Sequence, residues 1–268
     1  MPYISLSSMT VAAVFFSLAT TAAGQIAANQ IPHTRDGKPD FSGIWQTLNT
    51  ANWDLQAHAA QKSLVLVLGA AGAEPPGMSV VEGGEIPYKP EALAKKKENY
   101  EKRLEEDPII KCYMPGVPRA TYMPFPFQIV QTSDVILIAY EFAGAARTVY
   151  MRNAPAAPAD SWMGHNVGHW DGDTLVIDVT SQVDQTWFDS VGDYHSDALH
   201  VVERYTMAGP DLITYEATVE DPNVFTRPWK ISMPLYRHME KNAQLMEFKC
   251  VEFVEELLYG KYRKHPDE

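Results

Sequence analysis

Residues 165–180 read HNVGHWDGDTLVIDVT, and this stretch decides the fold that we expect. Asp171-Gly172 lies between two segments in which apolar and polar residues alternate, which is the pattern of two β-strands joined by a two-residue hairpin loop. If Asp171 and Gly172 are the central residues of a type I′ turn, every residue of the first strand acquires a defined partner. The resulting pairs are Trp170 with Asp173, His169 with Thr174, Val167 with Val176, and His165 with Asp178.

The two faces of this predicted hairpin differ in polarity. Cross-strand partners point to the same face, so the pairing sorts the side chains into two sets. One set is apolar and is expected in the core, whereas the other is mixed and faces either water or a polar-lined cavity. The apolar set is Trp170, Leu175, Ile177 and Val179, and the mixed set is His165, Val167, His169, Thr174, Val176 and Asp178.

Further strand signals recur about every 8–12 residues, which is the spacing of an antiparallel sandwich or barrel. The predicted strands, after a first one that opens at 41–45, are 127–131, 135–142, 147–152, 167–170, 174–180, 199–206, 212–219, 229–236 and 245–253. One helix is expected over residues 90–106, because Pro90 suits a first helical turn and Pro108 ends the segment. Its many charged residues indicate a surface helix. The expected fold is therefore all-β and mainly antiparallel, a lipocalin-like β-barrel or a sandwich with one surface helix.

Composition and motifs exclude several classes of function. The chain has 268 residues and a formal net charge of −12, from 22 basic and 34 acidic side chains. This charge repels phosphate, so we expect no nucleic acid partner. There is no Gly-rich phosphate loop, no Gly-x-Ser-x-Gly elbow and no His-Glu-x-x-His motif, which argues against nucleotide binding, α/β-hydrolase and zincin chemistry. We expect no cofactor.

The N-terminus has the pattern of a signal peptide. Residues 9–20 are mostly apolar and uncharged, and Ala22-Ala23-Gly24 follows them, so we expect cleavage before Gln25. The apolar run is too short for a comfortable membrane span, and no stable membrane insertion is expected. The prediction is thus a signal peptide over 1–24 and a single β-rich domain over 25–268, located in the periplasm or secreted.

Export gives the two cysteines a role. Cys112 and Cys250 are the only cysteines in the chain, and an isolated pair in an oxidising compartment can close a disulfide. The alternative is two buried free thiols. We favour the disulfide bond.

The mixed face of the hairpin provides the candidate catalytic residues. A carboxylate opposite an imidazole fixes its tautomer and raises its pKa, as a general base requires. We therefore predict His165 as the base and Asp178 as the carboxylate that orients it. His200 and Arg204 are predicted to contact the substrate from a neighbouring strand. The alternative is a solvent-facing pair of little energetic value. A zinc site is not predicted, because His165 and His169 would lie about 13 Å apart on a strand. Asp171 and Asp173 could offer oxygens to calcium, but Asp-Gly turns are common without it.

Four further residues are candidates for contacting substrate. His169 shares the mixed face, and His195 lies in a loop within an acidic, histidine-rich stretch. Glu141 is the polar residue at the end of an apolar strand; if residues 143–145 form a hairpin loop, it pairs with Arg147. Arg119 lies within the Pro-rich segment at 115–126.

Several motifs in combination resemble a large family of exported bacterial β-rich proteins, most of them uncharacterised. The motifs are Asp40-Phe41-Ser42-Gly43-Ile44-Trp45, Pro115-Gly116-Val117-Pro118-Arg119, Phe127-Gln128-Ile129-Val130-Gln131, residues 168–176 and residues 195–200. The resemblance implies an exported, single-domain, β-rich protein. Gly43-Ile44-Trp45 is also similar to the lipocalin Gly-x-Trp signature, which implies a barrel that could enclose a small apolar ligand.

Three functions are compatible with these features. The first is an exported enzyme, a lyase, isomerase or hydrolase, that uses His/carboxylate acid–base chemistry on a small, partly apolar substrate. The second is a lipocalin-like periplasmic binding protein for a small apolar ligand, and the third is an envelope interaction module. A carrier needs an apolar cavity, whereas an enzyme needs titratable groups that converge in its pocket. We favour the enzyme, with a small-molecule ligand as its partner.

Overall fold

The fold is a closed barrel of nine strands that follow one another in chain order around the wall. A computed structural model describes residues 31–61, 74–248, 250–252, 257 and 261. Neighbouring strands are antiparallel except for β4 and β5, which are parallel, and β9 closes the barrel on β1. The strands are β1 (Gly43–Gln46), β2 (Phe127–Gln131), β3 (Val135–Tyr140), β4 (Ala146–Tyr150), β5 (His165–Asp171), β6 (Thr174–Thr180), β7 (His200–Gly209), β8 (Leu212–Glu220) and β9 (Trp229–Arg237).

The all-β prediction is confirmed, and the predicted strands between 127 and 236 correspond to β2–β9. The strand predicted at 245–253 is wrong over its described residues, because 245–248 and 250–252 form no strand. This C-terminal segment instead runs across the outside of the molecule, where Phe248 packs on Phe125 and Phe142. The predicted signal peptide lies outside the described residues.

The predicted surface helix is present. A 3₁₀ turn at Pro90–Ala92 leads into α1 (Leu93–Glu106). Only Asn99 of α1 is buried, so the helix is attached to the body mainly through polar contacts. A second, four-residue helix, α2 (Arg119–Tyr122), has all of its residues buried.

The hairpin of β5 and β6 forms, but its register differs from the predicted one. Gly172 and Asp173 are the two loop residues, and Asp171 pairs with Thr174. Gly172 has φ +61° and Asp173 is not among the positive-φ residues, which is the pattern of a type II′ turn with Gly in the first central position. Each residue of β5 therefore faces a partner two positions further along β6 than predicted.

A shift of two residues preserves the faces, since side chains alternate with a period of two. Leu175, Ile177 and Val179 are buried in the core, as predicted. His165, however, pairs with Thr180, and Asp178 pairs with Val167. The predicted pairing of His165 with Asp178 is wrong.

The predicted disulfide joins Cys112 and Cys250, with their Cα atoms 5.7 Å apart. Cys112 follows a 3₁₀ turn at Pro108–Lys111, so the bond ties the segment after β9 to the connection between α1 and α2. Among the described residues, no helix has the length and apolar composition that crossing a lipid bilayer would require.

Candidate functional site

Most of the predicted catalytic residues lie on the outer face of the barrel wall. Asp178 is flanked by His200, whose Nε2 is 3.2 Å from Oδ1, and by His169, whose Nδ1 is 3.8 Å from Oδ2. Arg204 instead forms an ion pair with Asp171 at 2.7 Å. The side chains of His169 and Asp178 are 58% and 41% exposed. Water screens such pairs strongly, which limits what they contribute to stability.

His165 occupies the same face but stands apart from this cluster. Its ring lies against the ring of Tyr150, with centroids 5.8 Å apart. The geometry thus brings together Asp178, His169 and His200, and it leaves His165 without the predicted carboxylate partner. The catalytic roles of His165, Asp178 and His200 stay predictions.

His195 is buried beneath its loop and is not displayed on the surface. Its Nδ1 donates to the carbonyl of Ser196 at 2.8 Å, so Nε2 is the nitrogen that accepts from the hydroxyl of Thr186 at 2.6 Å. Burial lowers the pKa of His195, which favours this neutral tautomer. The geometry is that of a side chain that holds its own loop in place.

Arg119 is also buried, and its guanidinium makes four hydrogen bonds to neighbouring groups. It makes a two-point ion pair with Asp107 at 2.8 and 2.9 Å. It also donates to Asn52 Oδ1 at 3.0 Å and to Ser190 Oγ at 2.9 Å. Arg119 therefore ties together three separate segments of chain, and its predicted contact with substrate stays untested.

The expected ion pair between Glu141 and Arg147 is absent. The strand β3 ends at Tyr140, and a 3₁₀ turn at Phe142–Gly144 leads directly into β4, so Glu141 has no partner across a hairpin. Its carboxylate accepts from the backbone N–H of Met246 at 2.8 Å. Arg147 points into the barrel, where it pairs with Glu203.

A different group of titratable side chains converges between α1 and the loop at 186–195. One carboxylate oxygen from each of Asp54, Asp189 and Asp193 lies within 4.8 Å of the others. Asp189 and Asp193 are fully buried, and Asp54 is partly buried. The ammonium of Lys96 on α1 is 2.7 Å from Asp193 Oδ1. We call these four residues the carboxyl cluster.

Backbone hydrogen bonds fix the buried half of the carboxyl cluster. Asp189 Oδ2 accepts from the N–H of Leu55 at 3.1 Å, while Oδ1 accepts from the N–H groups of Val191 and Asp193 at 3.2 and 3.1 Å. Asn99 donates to the carbonyl of Gly192 at 3.2 Å, which places α1 over the loop. The loop thus carries two acidic side chains under a helix that supplies the cation.

Burial and crowding shift the proton affinities of the carboxyl cluster. Burial, with a further contribution from Asp193, raises the pKa of Asp189 well above its ordinary value. Burial and the charge of Asp193 also raise the pKa of Asp54. Burial alone would lower the pKa of Lys96, but the nearby carboxylate of Asp193 outweighs it and raises that pKa. A raised pKa favours the protonated form of each of these carboxyl groups.

The carboxyl cluster opens onto a groove of about 400 Å³. Asp54 and Lys96 line this groove, together with the apolar side chains of Leu93, Tyr100 and Val191. We call it the Asp54 groove. Its size and mixed lining are those of a small-molecule site, for which about 300–1,000 Å³ is typical.

Three carboxylates at this spacing could also hold a divalent cation such as calcium, because hard cations prefer oxygen ligands. In the structure the ammonium of Lys96 supplies the positive charge beside Asp193.

Sequence reasoning missed the carboxyl cluster because its members come from distant segments. The acidic stretch that contains Asp189 and Asp193 was visible, but nothing local indicates that Asp54 and Lys96 join it. Comparison of the chain with protein-family models and with curated proteins finds no match for it.

Proposed function

We propose that this protein is an exported enzyme that performs acid–base chemistry on a small, partly apolar substrate in the Asp54 groove. The observation that carries the proposal is that Asp54 and Lys96 line one groove directly above two buried carboxyl groups. An enzyme of the lyase, isomerase or hydrolase class needs such convergent titratable groups.

Each member of the carboxyl cluster has a distinct role in this proposal. Asp54, with its raised pKa and its position in the groove wall, is the proton donor. Lys96 stabilises negative charge that develops on a substrate oxygen, since preorganised cations act most strongly where charge appears. Asp193 holds Lys96 in position, and Asp189 keeps the loop in shape through its three backbone hydrogen bonds. Leu93, Tyr100 and Val191 contact the apolar part of the substrate.

The interior of the barrel weighs against the alternative, a lipocalin-like carrier. The centre of the barrel is occupied by Arg147 and Glu203, to which Tyr140, Tyr205 and Tyr215 are hydrogen-bonded. A carrier for an apolar ligand would need this space as an apolar cavity. The buried charged pair makes this part of the interior polar.

Localisation in the periplasm or outside the cell is part of the proposal. The disulfide between Cys112 and Cys250 supports it, because disulfides persist in oxidising compartments. Cell fractionation with an antibody against the mature domain tests this point independently of any activity.

Metabolite profiling tests the enzymatic proposal. The purified protein is incubated with a bacterial small-molecule extract, and compounds that are consumed or formed are followed by mass spectrometry. We expect Asp54→Asn and Lys96→Met to lower turnover at least about 100-fold, in line with the contribution of a general acid. Asp134→Asn is the matched control, because this exposed carboxylate lies outside the groove, where it pairs with the exposed Arg152 and accepts from the hydroxyl of Ser133. If Asp178→Asn loses turnover while Asp54→Asn retains it, the active site lies on the outer face of the barrel around Asp178 and the proposal for the Asp54 groove is wrong.

A further inference from the structure

A second groove lies on the other side of α1. Its volume is about 460 Å³, and it runs between the helix, the segment around Tyr113 and the loop that carries Gln185 and Trp187. None of its side chains belongs to the carboxyl cluster. We call it the Tyr113 groove.

An aromatic surface forms part of the Tyr113 groove. Tyr113 is 45% exposed, and its ring lies against that of Trp162, with centroids 4.9 Å apart and planes inclined at 45°. Trp187 lines the groove and is otherwise buried. A large exposed aromatic ring offers apolar contact area that costs little conformational entropy, because only two side-chain torsions must be fixed.

Covalent and hydrogen-bonded constraints hold Tyr113 in place. It directly follows Cys112, which the disulfide ties to Cys250, and its N–H donates to the carbonyl of Pro108 at 3.1 Å. The aromatic surface is thus positioned before any ligand arrives, and preorganisation of this kind favours binding.

The charged side chains of the Tyr113 groove, three lysines and two glutamates, are all engaged in ion pairs with one another. Glu98 pairs with Lys95 at 3.3 Å and with Lys102 at 2.8 Å, and Lys111 pairs with Glu106. The rim therefore offers both donors and acceptors, with all of its charges paired and one positive charge in excess. Hydroxyl groups, which donate and accept, match such a rim, whereas a ligand of one charge would have to break existing pairs. Gln185 adds an amide with both functions.

We propose that the Tyr113 groove binds a neutral oligosaccharide. The C–H face of a sugar ring stacks on Tyr113, and the hydroxyl groups bond to the paired Lys and Glu side chains and to Gln185. This binding function is separate from the chemistry proposed for the Asp54 groove and does not depend on it.

Saturation-transfer NMR with maltose, cellobiose and N,N′-diacetylchitobiose tests the proposal on the full protein. We expect at least one of the three to bind, with saturation strongest at the ring C–H protons that face the aromatic surface. Tyr113→Ala should weaken that binding about tenfold or more, as the loss of an aromatic anchor does. Tyr236→Ala is the matched control, because it removes a tyrosine that is 39% exposed on β9, away from the groove. Ionic strength should have little effect on the affinity, since the ligand is uncharged.

Several outcomes would overturn the proposal. The first is that none of the three sugars shows saturable binding up to about 10 mM, a concentration that corresponds to very weak affinity. The others are equal losses of binding in Tyr113→Ala and Tyr236→Ala, or binding that salt abolishes. Tyr113→Phe keeps the ring and should retain binding, which separates loss of stacking from a folding defect. The two proposals can fail separately. Sugar binding without turnover supports this proposal alone, and turnover without sugar binding supports the enzymatic proposal alone.

Discussion

The guanidinium of Arg147 and the carboxylate of Glu203 form a two-point ion pair at the centre of the closed barrel. Arg147 Nη2 donates to Glu203 Oε1 at 3.0 Å, and Nη1 donates to Oε2. The two side chains are at most 1% exposed, and Tyr215 donates a further hydrogen bond to Glu203 at 2.8 Å. Because all of these polar groups are satisfied, the pair can be kept inside an otherwise apolar core.

We expect Glu203→Gln to destabilise the protein by about 3–5 kcal/mol, because it leaves the charge of Arg147 buried without a counter-ion. Urea unfolding measures the change in the free energy of unfolding. Glu216→Gln is the control, since Glu216 pairs with the partly exposed Lys230 on the outer face, and such a pair is worth at most about 1 kcal/mol. The double variant Arg147→Met/Glu203→Leu should be less destabilised than Glu203→Gln. Similar losses in Glu203→Gln and Glu216→Gln would contradict a special role for the buried pair.

The disulfide should be detectable in native protein. Intact-mass measurement without reductant should give a value two hydrogen masses below that of the fully reduced chain. Because the bond spans 138 residues of sequence, we expect Cys112→Ser/Cys250→Ser to lose roughly 4–5 kcal/mol on the chain-entropy model. Alkylation of both cysteines in unreduced protein would rule the bond out.

Asp189 should give stability an unusual dependence on pH. Its folded pKa is raised above the ordinary 3.8 by burial, so the folded state binds the proton more tightly than the unfolded state does. The contribution of this carboxyl to stability is then greatest below pH 3.8 and decreases as the pH rises towards the folded pKa. Asp189→Asn removes this dependence. We expect the variant to gain stability relative to the wild type as the pH is raised from 4 to 8, measured by urea unfolding at each pH; a constant difference would contradict the assignment.

The pH dependence of turnover should identify Asp54 as the acid. Because Asp54 must carry its proton to donate it, the rate should fall as the pH rises through its pKa, which is raised by burial and by Asp193. Steady-state rates across the pH range give this profile. Asp193→Asn should move the falling limb to lower pH, because removing that negative charge favours ionisation of Asp54. An unchanged limb would exclude the coupling of Asp193 to the catalytic acid.

Gly192 should be essential for docking α1. A Cβ at this position would lie 2.6 Å from Asn99 Cβ and 2.9 Å from the backbone nitrogen of Tyr100, so Gly192→Ala forces the helix away from the loop. Gly83→Ala is a close control: φ is +81° at Gly83 and +87° at Gly192, but an added Cβ meets nothing within 4 Å at Gly83. Backbone strain costs about 1–2 kcal/mol in both variants. Thermal unfolding should show a larger loss for Gly192→Ala, and equal losses would mean that the helix adapts.

The sequence by itself was sufficient for the all-β class, the surface helix, the buried face of the β5–β6 hairpin and the disulfide. These features depend on local alternation, on proline positions and on an isolated cysteine pair. The sequence did not determine the register of the hairpin, because Asp171-Gly172-Asp173 contains two possible two-residue loops. Asp-Gly suits a type I′ turn, whereas Gly-Asp suits a type II′ turn. The choice moves partners by two residues, which preserves the faces but separates His165 from Asp178.

Only the tertiary structure decided where the polar side chains meet. Val201, Glu203 and Tyr205 alternate along one face of β7, so the sequence could place Glu203 on that face. Arg147 lies opposite Glu203 across the interior because the barrel closes with β4 parallel to β5. Asp54, Lys96, Asp189 and Asp193 are brought together by a loop and a helix that cover one side of the body. Contacts between segments so distant in sequence depend on how the whole chain folds, and no local pattern of residues encodes them.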